Sequence, residues 1–433
     1  MKINYSKIFD ELFPINRSLL GEGYNKSLKI LAKYINFKYF KYGSGSKIFD
    51  WKVPKEWVVK EAFIEFKSKK ILDYKKSNLH LVSYSTKVNT KLNQKDLKSK
   101  IYSLPSLPSK IPYVTSYYKK NWGYCASHNF KKNLKKGTYN CVINTKFKNS
   151  NLVNGYAEIK GKSKKMNLLT SYLCHPSLAN NELSGPLVMI GLYDAIKKWK
   201  KRNYTYNFLI NPETIGSLCF LKSHGKKIQK IFNSGLVLTC LGGNKKKLSY
   251  KLSKNGNSTL DKIFSLFKDD FINIRKFDPA EGSDERQFNS PGFNLPVGNI
   301  CRSVYGQYSQ YHNSGDDKKF MNISKIKDSI IKLNYILELH DLTLPLKRYM
   351  PYGELMLGKR NLYPNENSES TRKKSSDNIN DGGEQLKILL QILSYSDGLN
   401  NILDIIEKNN LNKKKSFDVL KKCLDLKLIY FKS

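Results

Sequence analysis

The spacing of apolar residues changes several times along the chain, and each change predicts a different kind of element. Between residues 3 and 37, Ile8, Leu12, Leu19, Leu28, Leu31 and Ile35 recur at helical intervals, and Gly21-Glu22-Gly23 divides the stretch into two helices. From Tyr42 onward short β-rich runs take over, among them EWVVKEAFIEF and LHLVSYSTKV, with turn signals such as Pro54 between them. A short helix near 95 to 102 and a Pro-rich stretch over 105 to 112 close this part. Between 138 and 345 strands alternate with helices. YNCVINTKF, NLLTSYLC, YNFLINP and GLVLTCLG read as strands; SGPLVMIGLYDAIKKWK, GSLCFLKSHGKKIQKIF, STLDKIFSLFKDDF and 324 to 340 read as helices. Apolar strands between amphipathic helices imply a mainly parallel sheet covered on both faces, with ligands beyond the carboxyl ends of its strands.

The pattern then breaks. Residues 346 to 383 are rich in Pro, Asn, Ser and Lys, and SESTRKKSSDNINDGG reads as a flexible linker. Three short helices and a closing strand follow within about fifty residues, which fits a winged helix-turn-helix. The organisation expected is therefore N-terminal helices over 1 to 39, a β-rich inserted subdomain over 40 to 118, an α/β domain over 119 to 345, a linker over 346 to 383 and a winged helix over 384 to 433.

Charge changes this picture less than its size invites. The chain carries 76 Lys and Arg against 36 Asp and Glu, a formal net charge of +40. Such a balance points first to nucleic acid. Only 8 of the 76 are Arg, however, and specific phosphate and base recognition favours the planar Arg fork. The Lys excess accompanies abundant Asn and Ile and reads as a compositional bias on tolerant surface positions. For the same reason Lys413, Lys414 and Lys415, before the presumed recognition helix, leave nucleic-acid binding as a secondary expectation, behind a packing or dimerisation role that allows a homo-oligomer. The 7 Cys follow no disulfide spacing, and no signal-like or membrane-spanning apolar run is found. Buried free thiols and a cytoplasmic protein are expected.

Chemistry-bearing residues gather where apolar strands end. His175 follows the strand LLTSYLC, at the tip where a neutral imidazole is a good zinc ligand, although a lone His there more often bonds a backbone carbonyl. Glu213 ends YNFLINPE, facing the cleft of an α/β sheet or else capping the helix that begins near Ser217. Asp284 and Glu285 lie in a Gly/Ser turn, and His312 in a later one. Together these give two His and two carboxylates from separate loops of one sheet edge, a set suited to zinc with a position left for water.

The strings CHPSLANNELSGP, NPETIGS, GSDERQFNSPGFNLPVG and YHNSGDD, with INRSLLGEGYNKSLKIL, FDWKVPKEW, IPYVTSYYKKNWGYC and LGKRNLY, resemble the aminopeptidase-like proteins found with bacterial polysaccharide-biosynthesis genes, relatives of the zinc aminopeptidases. The resemblance covers almost the whole chain. It implies a zinc-exopeptidase-like three-layer α/β/α sandwich with a mostly parallel sheet, the β-rich insert and the winged helix. It also implies one or two zinc ions held by His175, Glu213, Asp284 and His312, and hydrolysis of an amide bond in a small-molecule or peptide-like substrate, tied to surface glycan or aminosugar metabolism. Two departures stand out. Asn181 occupies the place of the family's bridging Asp, which removes a negative charge between two metals. Pro212 precedes Glu213 where the family has two adjacent Glu, so the general base falls to Glu213 itself or to Glu182 or Glu285. A cleft kept for binding with catalysis lost is the alternative these departures raise.

Overall fold

The computed structural model describes residues 3–268, 270–360, 362 and 379–432. Its larger compact unit spans residues 1–159, 165–199 and 206–334. At the centre is an eight-stranded sheet of β1 (Lys38–Gly43), β2 (Asn151–Ile159), β3 (Met166–Tyr172), β4 (Thr205–Asn211), β5 (Phe232–Leu238), β6 (Leu248–Lys251), β7 (Ile272–Arg275) and β8 (Val297–Cys301). Their order across the sheet is β1-β2-β4-β3-β5-β8-β6-β7. The sheet is mixed: β3, β5 and β8 run parallel, as do β6 and β7, whereas β1/β2, β2/β4 and β8/β6 are antiparallel. All residues of β3 and β8 are buried, as their uninterrupted apolar runs require of strands covered on both faces.

The helices Ser184–Lys198, Ile215–Ile228, Thr259–Ser265 and Ile323–His340 connect or follow these strands. Phe220, Leu221 and Ile228 pack on Met166, Leu168, Leu209 and Val237. Gly185 opens the helix after β3 at a place no side chain fits, since a Cβ there would lie 2.2 Å from Ser171 Oγ and 2.3 Å from the Leu238 carbonyl oxygen. The Ser184-Gly185 pair thus lets the helix start press directly on β3 and β5.

The β-rich insert forms a separate four-stranded antiparallel sheet in the order Lys69–Asp73, Glu56–Phe66, Thr138–Lys148, Val88–Asn93. The strand–helix alternation from residue 138 predicts Thr138–Lys148 in the main sheet. Buried and less buried residues alternate along it, the signature of a strand with one covered face, and it pairs with the insert instead. The insert's core is built on Trp57, Ile64, Leu81, Tyr124, Cys141 and Ile143.

The second compact unit comprises residues 160–164, 200–205 and 335–433. Helices Ile379–Tyr395, Ile402–Asn409 and Lys413–Asp425 are followed by strand Ile429–Phe431, which pairs antiparallel with Leu346–Arg348. The middle helix starts on a reciprocal cap between Asn401 and Asp404 and ends at Asn410 in the left-handed conformation. Leu346–Arg348 and the start of the first helix fall inside the stretch read as linker; the intervening residues 363–378 of that stretch lie outside the described residues. No helix of the described residues is long and apolar enough to cross a membrane.

Candidate functional site

The carboxyl end of β3 delivers Leu173, Cys174 and His175 in succession, and a wide helical turn over Ala179–Leu183 then feeds the helix from Ser184. This turn folds Glu182 back onto His175. Its Oε1 accepts the His175 backbone N–H at 2.8 Å and its Oε2 lies 2.6 Å from Nδ1. Nδ1 must carry a proton to meet a carboxylate, so whenever the ring is neutral its lone pair is on Nε2. The backbone carbonyl of His175 is held by Nε of Arg17, at 3.0 Å, in a guanidinium with no exposed surface.

Nε2 of His175 faces Oε2 of Glu213 at 3.6 Å. That is long for a hydrogen bond. Two tetrahedral ligands of one zinc, each ~2.0–2.1 Å from it, stand ~3.3 Å apart, close to the observed separation. Oε1 of Glu213 accepts the Ser283 hydroxyl at 2.6 Å. The ring centroids of His175 and His312 are 5.4 Å apart, and Tyr113 meets both edge-on, at 5.1 and 5.5 Å. His312 sits in the left-handed backbone region, φ 53°, with its carbonyl accepting Tyr113 N–H at 2.8 Å. Ile111 and Ser314 reinforce that contact through two more hydrogen bonds, so the end of the insert holds the His312 turn. The His312 imidazole makes no hydrogen bond among the described residues, and Tyr311 stacks on it at 3.9 Å.

Asn181 donates its amide to Tyr172 Oη at 3.1 Å, while its Oδ1 is buried with no hydrogen-bond partner among the described residues. An orphaned buried acceptor is costly unless something outside the protein engages it. Asp284 is fully buried. Its Oδ1 accepts Thr214 N–H at 2.7 Å and Ser217 Oγ at 2.8 Å, and its Oδ2 accepts Asn211 Nδ2 at 2.9 Å. Glu285, the next residue, points elsewhere: it forms a buried ion pair with Lys251 at 2.6 Å and accepts from Ser283 N and Asn299 Nδ2. Of the three carboxylates weighed as general base, Glu182 and Glu285 are therefore tied to His175 and Lys251. Glu213 alone lines a cavity, of about 210 Å³, beside His175 and under Leu19, Trp51, Tyr117 and Tyr118. The hydroxyls of Tyr117 and Tyr118 are engaged with Tyr113 Oη and the Lys52 carbonyl, which leaves these walls apolar.

Burial and repulsion from His175 push the His312 imidazole down to about 3, so it is neutral and a lone pair is available. For His175, burial opposes the charged form, but Cys174, Tyr113 and Glu182 outweigh it and the pKa lies well above the usual imidazole range. Glu182 carries that effect at neutral pH, because burial holds the Cys174 thiol at about 11 and the Tyr113 phenol at about 12. Burial, together with the charge of Glu213, raises Asp284 to about 7 against the pull of its three donors. Asp316 rises to about 7 through burial while accepting the backbone N–H groups of Asn180 and Asn181 at 2.6 and 2.8 Å.

His175 thus stands between Glu213, 3.6 Å from its Nε2, and His312, whose ring centroid is 5.4 Å away, and its metal-capable atoms cluster within 4.8 Å with those of Cys174 and Glu182, whereas Asp284 and Glu285 are directed at other partners. Arg17, Tyr113, Ser283 and Asp316 carry contacts that the sequence reading assigned to none of them. Arg17 had one signal, as a rare Arg in a Lys-rich chain.

Comparison with known proteins supports the same architecture. A family model described as a domain of unknown function (DUF4910) matches residues 6–342, and a winged helix-turn-helix model matches residues 345–430. A Clostridium acetobutylicum protein, named for polysaccharide biosynthesis and an aminopeptidase-like domain, is 37% identical over 415 residues, covering 93% of this chain and 91% of that protein. A crystal structure from Clostridium acetobutylicum, named as a peptidase, superposes with a TM-score of 0.85 at 33% identity, covering 99% of this chain and 96% of the other. A zinc aminopeptidase from Bacillus subtilis shares the fold, with a TM-score of 0.56 at 14% identity over 77% of this chain and 93% of its own.

Proposed function

Because this chain belongs to the DUF4910 family and pairs that domain with a winged helix-turn-helix, we propose that it is an aminopeptidase-like hydrolase that uses zinc to cleave an amide bond. The observation that carries the reading is the 3.6 Å approach of His175 Nε2 to Glu213 Oε2, with the neutral His312 ring 5.4 Å from that of His175. These donors suit one zinc better than two, since the neutral amide of Asn181 supplies no bridging charge. Zinc held there would polarise the amide carbonyl and lower the pKa of water to ~7.

The protein's own groups do the rest. Glu182 holds the His175 ring in one tautomer and orientation. Glu213 is the one of the three weighed carboxylates that reaches the cavity, where its Oε2 would serve as a metal ligand and not also as the general base. The apolar walls of Leu19, Trp51, Tyr117 and Tyr118 exclude water and receive an apolar flank of the substrate. The relative's name supports a substrate from polysaccharide biosynthesis, and an acylated amino group would join that chemistry to an amide cleft.

A second reading follows from the engagement of Glu182 and Glu285. With these two carboxylates engaged and Glu213 taken up as a ligand, the cleft binds its ligand without turnover. Elemental analysis of protein purified without chelator, followed by an amide-hydrolysis screen, separates the two. One zinc per chain with hydrolysis lost in His175→Ala and His312→Ala supports the enzyme. Zinc without turnover favours the binding protein. Absence of metal after zinc is added back rules out the metal reading altogether.

A further inference from the structure

Glu213 is followed by a backbone conformation that needs support. Thr214 lies at φ 63° and ψ −72°, and Ile215 N–H bonds the Glu213 carbonyl at 2.7 Å. That is a γ-turn of the positive-φ kind, rare and strained for a β-branched residue. Such conformations persist only where the surroundings over-determine them. Here the surroundings are three consecutive residues. Ser283 donates its hydroxyl to Glu213 Oε1 at 2.6 Å. Asp284 accepts the Thr214 N–H, inside the turn, and the Ser217 hydroxyl on the helix that follows it. Glu285 anchors the triplet by accepting Ser283 N–H at 3.0 Å and pairing with buried Lys251. Gly216 completes the fit, because a Cβ there would come within 2.7 Å of Asn211 Cβ and Pro212 Cδ.

We infer that Ser283 and Asp284 are positioning residues that hold the Thr214 γ-turn and aim Glu213 at His175, and that Asp284 is not itself a metal ligand. The inference rests on the metal reading above for its consequence, and on the hydrogen bonds alone for its geometry. Asp284 already meets three donors from behind the Glu213 turn and does not line the cavity. With Oε1 of Glu213 pinned by Ser283, Oε2 is the oxygen presented to His175 Nε2. A glutamate in this setting, with 27% of its side chain exposed, would otherwise sample several rotamers.

The test compares wild type with Ser283→Ala, Ser283→Thr, Asp284→Asn and Asp284→Ala. Zinc affinity is read by chelator competition, and the ligand set by the visible spectrum of the cobalt(II)-loaded protein. Ser283→Ala and Asp284→Asn should weaken zinc binding by ~10–100-fold, the usual effect of removing a group that orients a ligand. Ser283→Thr, which keeps the hydroxyl, should restore it. The cobalt bands of Asp284→Asn should keep their wild-type positions. Bands that shift as for a lost carboxylate ligand overturn the inference, and so does wild-type zinc affinity in both Ser283→Ala and Asp284→Asn. Wild type that takes up neither metal sinks the metal reading, and the clamp is then judged on the crystal structure of Asp284→Ala. Thr214 relaxing to negative φ upholds the clamp; an unchanged turn refutes it.

Discussion

Both oxygens of Glu182 engage His175, one at the backbone N–H (2.8 Å) and the other at Nδ1 (2.6 Å). A residue seven positions downstream thereby sets the tautomer, the ring plane and the main-chain direction of the imidazole together. A carboxylate behind a ligating His is a recurrent arrangement in metal sites, where it raises the basicity of the ligand.

Glu182→Gln is therefore expected to act on metal binding. The amide has one acceptor oxygen for two N–H donors and no charge, so the zinc dissociation constant should rise by ~10–100-fold with little change in fold. Chelator competition and a far-ultraviolet dichroism spectrum check both parts. Unchanged zinc affinity with lost turnover would return Glu182 to the role of general base.

The buried pair Lys251–Glu285 predicts a large stability effect. Lys251 Nζ also donates to the Glu281 carbonyl at 2.5 Å and to Tyr305 Oη at 2.9 Å, so no water replaces it easily. Lys251→Met leaves Glu285 buried without its cation and should cost ~3–5 kcal/mol in denaturant unfolding. Adding Glu285→Gln removes that stranded charge, and the double variant should recover part of the loss. A cost below ~1 kcal/mol for Lys251→Met would contradict the pair's structural role.

Asp316 bridges two turns that carry candidate ligands, accepting Asn180 and Asn181 N–H from four residues beyond His312. Asp316→Ala strands two buried donors, each worth ~1–3 kcal/mol. Thermal unfolding should show the loss, and Asp316→Asn, which keeps one acceptor oxygen, should lose less.

The second unit carries a pH dependence of its own. His340 is completely buried, stacks on Tyr204 at 5.4 Å, and burial lowers its pKa from 6.5 to about 3. The unfolded chain binds the proton first as pH falls, so stability rises with pH across this window. Its contribution is fully present above pH 6.5 and declines by ~1.4 kcal/mol per pH unit between 6.5 and about 3. Urea unfolding of wild type and His340→Gln at pH 7, 6 and 5 checks it: the slope should flatten in the variant, and equal slopes would refute the assignment.

Local order along the chain was enough to place much of this architecture. The uninterrupted apolar run of Met166–Tyr172 marks a strand buried on both faces, and the Ser184-Gly185 pair marks the helix that presses on it, because burial pattern and helix starts are written over a few neighbouring residues. For the same reason His175, Glu213 and His312 could be put at turns and strand ends from sequence. Which partner each side chain meets is another matter. Glu182 and Glu285 read equally well as bases until one lies on His175 and the other on Lys251. Asp284 read as a ligand, yet its carboxylate meets a backbone N–H 70 residues away. Thr138–Lys148 joined the insert and not the central sheet, and Arg17 reached the His175 carbonyl across 158 residues. Periodicity carries information over one or two turns of chain. Hydrogen-bond partners this distant are chosen only when packing brings their segments together and the buried polar groups must find one another.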